Sequence, residues 1–139
     1  RARPQLPDRT GAAFEAILDS PDNDILVGEA NGSVIACAQI TVTPYLTYHG
    51  GSRATIEGVR VASDWRGKGV GEALMHALIE FARSSGCHLV QLTTDKRRPR
   101  SVRFYEGLGF IASHVGMKLH LAPGAGGCSS GCGGCSDDR

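Results

Sequence analysis

The chain has 139 residues, a length that fits one domain with a sizeable core. Hydrophobic residues make up 41% and charged residues 21%, and the formal net charge is +1, so no overall charge draws it to nucleic acid or to a membrane surface. No apolar run approaches the ~20 residues of a membrane span, so neither nucleic acid nor a membrane is an expected partner.

Residues 1–9 are polar, carry prolines and specify no element. The opening Arg1-Ala2-Arg3-Pro4 has neither a Met nor an apolar leader, so a piece missing upstream is expected. Phe14, Ile17 and Leu18 fall at helical spacing and predict a short helix over Ala12–Leu18. Pro21-Asp22-Asn23-Asp24 reads as a turn and Ile25–Ala30 as a strand. Asn31-Gly32 is a two-residue hairpin signal, with Ser33–Thr43 as the long returning strand. Pro44–Ser52, with two tyrosines and a histidine, is expected as a loop, and Ala54–Val61 as the next strand.

Gly69–Ser85 reads as an amphipathic helix with Val70, Leu74, Ala77, Leu78 and Phe81 on its packed face. Gly86 closes it, and His88–Thr94 is expected as a buried strand. Asp95–Arg100 is a basic loop, and Pro99 suits the first turn of a helix ending near Gly107 or Gly109. Phe110-Ile111 and Met117–Leu121 predict a final hairpin or bent strand. Strands followed by alternating strands and helices predict an α/β domain over residues 1–122, a mixed sheet flanked by helices.

Residues 123–139 form a Gly/Ser/Cys tail expected to be disordered. Cys37 and Cys87 sit in apolar patterns and read as small core residues, reduced in a cytoplasmic protein. Cys128, Cys132 and Cys135 have the spacing of an iron–sulfur loop but hang off a terminus, and a zinc site would need a fourth ligand. No metal is expected.

The chemistry concentrates in Val59-Arg60-Val61 and Arg66-Gly67-Lys68-Gly69-Val70-Gly71: a strand, a glycine-rich turn and a helix start in one piece. The first N–H groups of a helix lack partners and carry partial positive charge, so such a turn suits anionic oxygens. A P-loop requires Gly-Lys-Ser/Thr, but Lys68 is followed by Gly69. The dinucleotide fingerprint requires Gly-x-Gly-x-x-Gly, but these glycines fall at 67, 69 and 71.

The turn instead resembles the Arg/Gln-x-x-Gly-x-Gly/Ala loop of the GNAT superfamily, the acyl-CoA-dependent N-acyltransferases. Arg66 matches its first position, and Gly69 and Gly71 match its small residues. Ser101–Phe110, with Phe104-Tyr105 and Gly109-Phe110, resembles the family's last block, a helix bearing Phe-Tyr before Gly-Phe and a strand. Together the blocks cover roughly residues 53–112, in the family's order. The resemblance implies a GNAT-like single domain that lacks its first strand, and acetyl-CoA as cosubstrate. It implies a pyrophosphate cradle at Arg66, Gly67, Lys68, Gly69, Val70 and Gly71, and pantetheine aligned on the main chain of Val59, Arg60 and Val61.

It also places the Tyr105 hydroxyl toward the cofactor sulfur as general acid, since a phenol of ordinary pKa, about 10, holds its proton at pH 7. Glu57 is the expected general base. By period-two alternation it shares a face with Val59 and Val61, a carboxylate among apolar neighbours. Arg98 stands where the family often has Asn, and Ser101 where it often has Ala, which changes that contact to the cofactor because arginine cannot accept a hydrogen bond. Lys96, Arg97, Arg98, Arg100 and Arg103 form a basic cluster suited to CoA phosphates, an anionic substrate group or solvent.

The leading expectation is acetyl transfer to the primary amine of a small molecule, by direct attack in a ternary complex, in a chain that can form a homodimer. The rivals are an inactive acyl-CoA-binding domain or fragment, and a nucleic-acid module using the basic cluster. No aromatic stripe accompanies that cluster, which weighs against the last.

Overall fold

A computed structural model of the chain describes residues 8–122. In chain order it contains α1 (Asp8–Asp19), β1 (Asn23–Ala30), β2 (Ser33–Pro44), α2 (Thr47–Gly50), β3 (Ser52–Val61), a 3-10 turn (Ser63–Trp65), α3 (Val70–Ser84), β4 (Cys87–Leu92) and α4 (Pro99–Gly107). The four strands form one sheet in the order β1-β2-β3-β4. β1 to β3 are antiparallel neighbours, and β4 runs parallel to β3. The sheet is therefore mixed, as expected.

Asn31 and Gly32 both take positive φ, 52° and 77°, the backbone that matches a two-residue turn to strand twist. Alternation on β2 sends Ala36, Ala38 and Ile40 to one face, where Ala54 and Ile56 of β3 join them. Leu74, Met75, Leu78 and Ala82 of α3 cover that face, and Ile40, Met75 and Leu78 are its largest fully buried side chains. Three alanines in the sheet let the helix approach closely. α1 lies against β1 and leaves Phe14 and Leu18 exposed.

Four local expectations change. Ala77 is exposed, and Met75 and Ala82 take its place on the packed face of α3. The spacing from Val70 fits several helical stripes, and the broad sheet face selects the one containing Met75. The segment expected as a loop, 44–52, is instead a tight closure: β2 runs to Pro44, β3 starts at Ser52, and Tyr45 N–H donates to Gly51 O at 2.9 Å. α2 within it is barely helical, because Tyr48 and His49 have φ of 51° and 56°.

No final hairpin or bent strand forms; residues after α4 make no ladder among the described residues. β4 ends at Leu92, so Thr93 and Thr94 leave the strand as well. The expected missing first strand and the Cys-bearing tail concern residues outside 8–122. No helix of the described residues is long and apolar enough to cross a membrane.

Candidate active site

β3 changes character at Gly58. Gln39 pairs with Glu57 and Cys37 with Arg60, so Gly58 and Val59 together stand opposite Ala38. That extra residue is a β-bulge, and Gly58 takes the left-handed φ of 64° that the bulge demands. A bulge shifts side-chain parity by one. Ala54 and Ile56 face the core before it, and Val59 and Val61 face the core after it. Glu57 therefore lies on the opposite face from Val59 and Val61, against the alternation expected from sequence, and it is exposed rather than set among apolar neighbours.

The bulge also ends the partnership with β4. The last parallel pair is Ile56 with Leu92, after which the two strands diverge. Their divergence opens a cleft of about 450 Å³, counting the solvent at its mouth, lined among others by Glu57, Val59, Asp95, Arg98, Ser101 and Tyr105. It sits at the carboxyl ends of two parallel strands, where open α/β sheets place their ligand sites.

α4 positions Tyr105. Pro99 sits in its first turn, where a missing N–H costs nothing. The Tyr105 ring meets Phe104 and Phe110 edge-on, with centroids 5.1 and 5.9 Å away. Its carbonyl accepts from the N–H groups of Leu108 and Phe110 at 3.0 and 3.1 Å, fixing the helix end. Burial pushes the Tyr105 phenol above its ordinary pKa, and the Arg98 guanidinium offsets this only in part. The phenol is thus a proton donor well past neutral pH.

The glycine turn lies beyond the far end of β3. Gly67 and Gly69 have φ of 74° and 80°, conformations that side chains resist. Gly69 caps α3 with no side-chain hydrogen bond, so the helix's first N–H groups are left to other partners. Arg66 Nε donates to the Val61 carbonyl at 3.3 Å, tying the turn to the strand. A Cβ on Gly71 would lie 3.6 Å from Phe104 Cζ and 3.7 Å from Val61 Cγ2, so alanine fits there and little more. Lys68 Nζ rests 5.3 Å from the centre of the Trp65 ring. The residues fit a pyrophosphate: two glycines in left-handed backbone, an uncapped helix start and two cations.

Glu57, Val59, Arg98 and Tyr105 thus share one cleft, while Arg60, Val61 and the turn from Arg66 to Gly71 continue from it along β3. Asp95, missed from sequence, also lines the cleft. Its carboxylate accepts from the Arg97 backbone N–H at 2.8 Å and from Arg97 Nη2 at 2.6 Å, so the basic cluster is partly neutralised from within. Its position just past a parallel strand was the available signal. Among the described residues no group of three His, Cys, Asp or Glu is placed to hold a metal ion.

The chain belongs to the acetyltransferase (GNAT) family, whose pattern matches residues 2–110. A glucosamine 6-phosphate N-acetyltransferase of Trypanosoma brucei brucei is 37% identical over 93 residues, 67% of this chain and 61% of that protein. The chain therefore spans about six-tenths of that relative's length. A transcriptional regulator from Bacillus halodurans C-125 superposes with a TM-score of 0.81 at 50% identity, covering 84% of this chain and 77% of the other. The glucosamine-6-phosphate N-acetyltransferase of Arabidopsis thaliana gives 0.75 at 25% identity, covering 87% and 83%.

Proposed function

We infer that the chain is an acetyl-CoA-dependent N-acetyltransferase acting on the primary amine of a small molecule in the cytoplasm. The observation that carries this reading is the cleft opened by the Gly58 bulge, with Tyr105 in its wall and the glycine turn continuing from the same strand. Acetyl-CoA supplies the acetyl thioester. Arg66, Gly67, Lys68, Gly69, Val70 and Gly71 hold its pyrophosphate, the turn through backbone N–H groups and the two cations through charge. The main chain of Val59, Arg60 and Val61 aligns its pantetheine arm as a strand would be aligned. Arg98, in the cleft wall beside Tyr105, meets an anionic or carbonyl oxygen of the cosubstrate.

In the transfer, the amine nitrogen forms a bond to the acetyl carbon and the carbon–sulfur bond breaks. Glu57 takes the amine proton, directly or through water, from its exposed position on the rim. Tyr105 gives its proton to the departing thiolate, and its raised pKa keeps that proton in place until then. Positioning of the two reactants contributes more to the rate than either proton transfer.

The names of the trypanosome and Arabidopsis relatives favour a phosphorylated amino sugar as acceptor. Thiol release from acetyl-CoA over a panel of primary amines, glucosamine 6-phosphate included, tests this. Amine-dependent release is expected. The Bacillus protein's description as a regulator favours a second reading, acyl-CoA binding without transfer. Calorimetric binding of acetyl-CoA with no release across the panel would select it.

A further inference from the structure

Arg53 enters β3 between Thr43 of β2 and Leu89 of β4. Ala54 and Ile56 face α3, so by alternation Arg53, Thr55 and Glu57 share the other face of the sheet. The Arg53 head group turns away from the cleft. Its Nη2 donates to Thr47 Oγ1 at 3.1 Å, and its guanidinium carbon lies 4.3 Å from the centre of the Tyr45 ring. Both partners lie past Pro44, which pairs with Ser52 at the amino end of β3. Tyr48 flanks the same group at 5.7 Å.

That arginine is only half satisfied. Among the described residues its Nε is the one buried side-chain nitrogen or oxygen without a hydrogen-bond partner. No carboxylate among them forms an ion pair with it. A buried donor left unpaired carries its full desolvation cost. The tyrosine rings attract the positive charge through their faces but do not accept that N–H. Arg97 shows what the same edge of a guanidinium holds when it is filled. Its Nε and Nη2 donate to the two carboxylate oxygens of Asp95 at 3.0 and 2.6 Å. On Arg53 that edge holds one hydroxyl oxygen and lacks the second.

The cover over this edge is strained. Tyr48, His49 and Gly50 run consecutively at φ of 51°, 56° and 81°, left-handed backbone that the first two adopt at a cost. Such strain concentrates at ligand clamps and switch segments. Tyr48 is exposed, and its ring rests 4.6 Å from that of the exposed His88. Displacing the Thr47–Gly50 turn relieves its backbone and opens both Arg53 donors.

We propose that Arg53 anchors a second binding site, for a small oxyanion, carboxylate or phosphate, at the end of the sheet opposite the glycine turn. Two oxygens of the anion accept from Nε and Nη2, and the Thr47 hydroxyl gives up its place. Tyr45 keeps the guanidinium in position. The occupant is not the amine being acetylated. Glu57 stands four residues along the strand, roughly 13 Å away, and the arginine head points in the other direction. The site therefore holds whether or not the chain transfers an acetyl group.

Nuclear magnetic resonance of the full nitrogen-15-labelled chain tests this. Inorganic phosphate and acetate are titrated separately, at an ionic strength fixed with sodium chloride. Saturable shifts of the Arg53 Nε–H and of the Thr47–Gly51 amides are expected, and the tighter probe tells a phosphate site from a carboxylate site. Arg53→Lys keeps the charge and loses the paired donors, so affinity falls at least ~10-fold. That variant retains its acetyl-CoA affinity, which shows that it is folded. Arg53→Gln abolishes the shifts. Shifts that are absent with both probes, confined to Gly67–Gly71, or equally tight in the lysine variant overturn the proposal.

Discussion

β3 is two strands in one. From Ser52 to Ile56 it is laddered by β2 on one side and β4 on the other, and it buries Ala54 and Ile56 completely. From Glu57 to Val61 it keeps the β2 ladder but has parted from β4, and Glu57, Gly58 and Arg60 are exposed. A single added residue at Gly58 separates the halves. The first half holds the sheet to α3, and the second is free to serve a ligand.

The sharpest break of this contrast comes from the buried half. Ile56→Ala removes side-chain volume beneath α3 and costs about 2–5 kcal/mol, read as a lower denaturation midpoint. Its main effect falls on stability, and because Ile56 also lines the inner wall of the cleft, acetyl-CoA affinity of the remaining folded fraction falls by far less than in the turn variant below. In the ligand-facing half the pattern reverses. Gly69→Asp puts a side chain at φ 80° and a negative charge over the helix start. Acetyl-CoA binding falls at least ~100-fold by calorimetry, about 3 kcal/mol, while the strain itself costs stability only ~1–2 kcal/mol.

Tyr105→Phe lowers turnover by roughly 10²-fold with little change in acetyl-CoA affinity, since it removes a proton donor and keeps the ring. Its raised pKa sets the sign of the pH effect. Tyr105 holds its proton to higher pH than a free phenol, so the alkaline loss of activity it causes lies above pH ~10 and is absent from the phenylalanine variant. An unchanged turnover number would return Tyr105 to packing alone.

Glu57→Gln has a smaller effect, roughly 10-fold in turnover, because an exposed base shares its role with water. Parental activity across pH 6–9 would leave Glu57 as an acceptor contact or a surface residue.

The elements were legible wherever local backbone chemistry decides them. Asn31-Gly32 marked its hairpin, and Gly67, Gly69 and Gly71 marked the turn and helix start that the structure places at the end of β3. Strand alternation was legible only in part. A glycine inside a strand pattern signals a bulge, and Gly58 is that glycine, but alternation carried straight through it puts Glu57 on the wrong face. The pairing of Asp95 with Arg97 depends on a loop closing after β4, which charge counting alone cannot show. The alternating residues from Val115 to Leu121 have the pattern of a strand, yet among the described residues no ladder receives them. A pattern specifies a face and leaves open what covers it.

Amide hydrogen exchange with and without acetyl-CoA tests the central claim most directly. The divided strand predicts that added acetyl-CoA slows exchange at Val59 to Val61 and at Gly67 to Gly71, while Ser52 to Ile56, already laddered on both sides, changes little. Protection confined to the first half of β3, or none at the glycine turn, would contradict it.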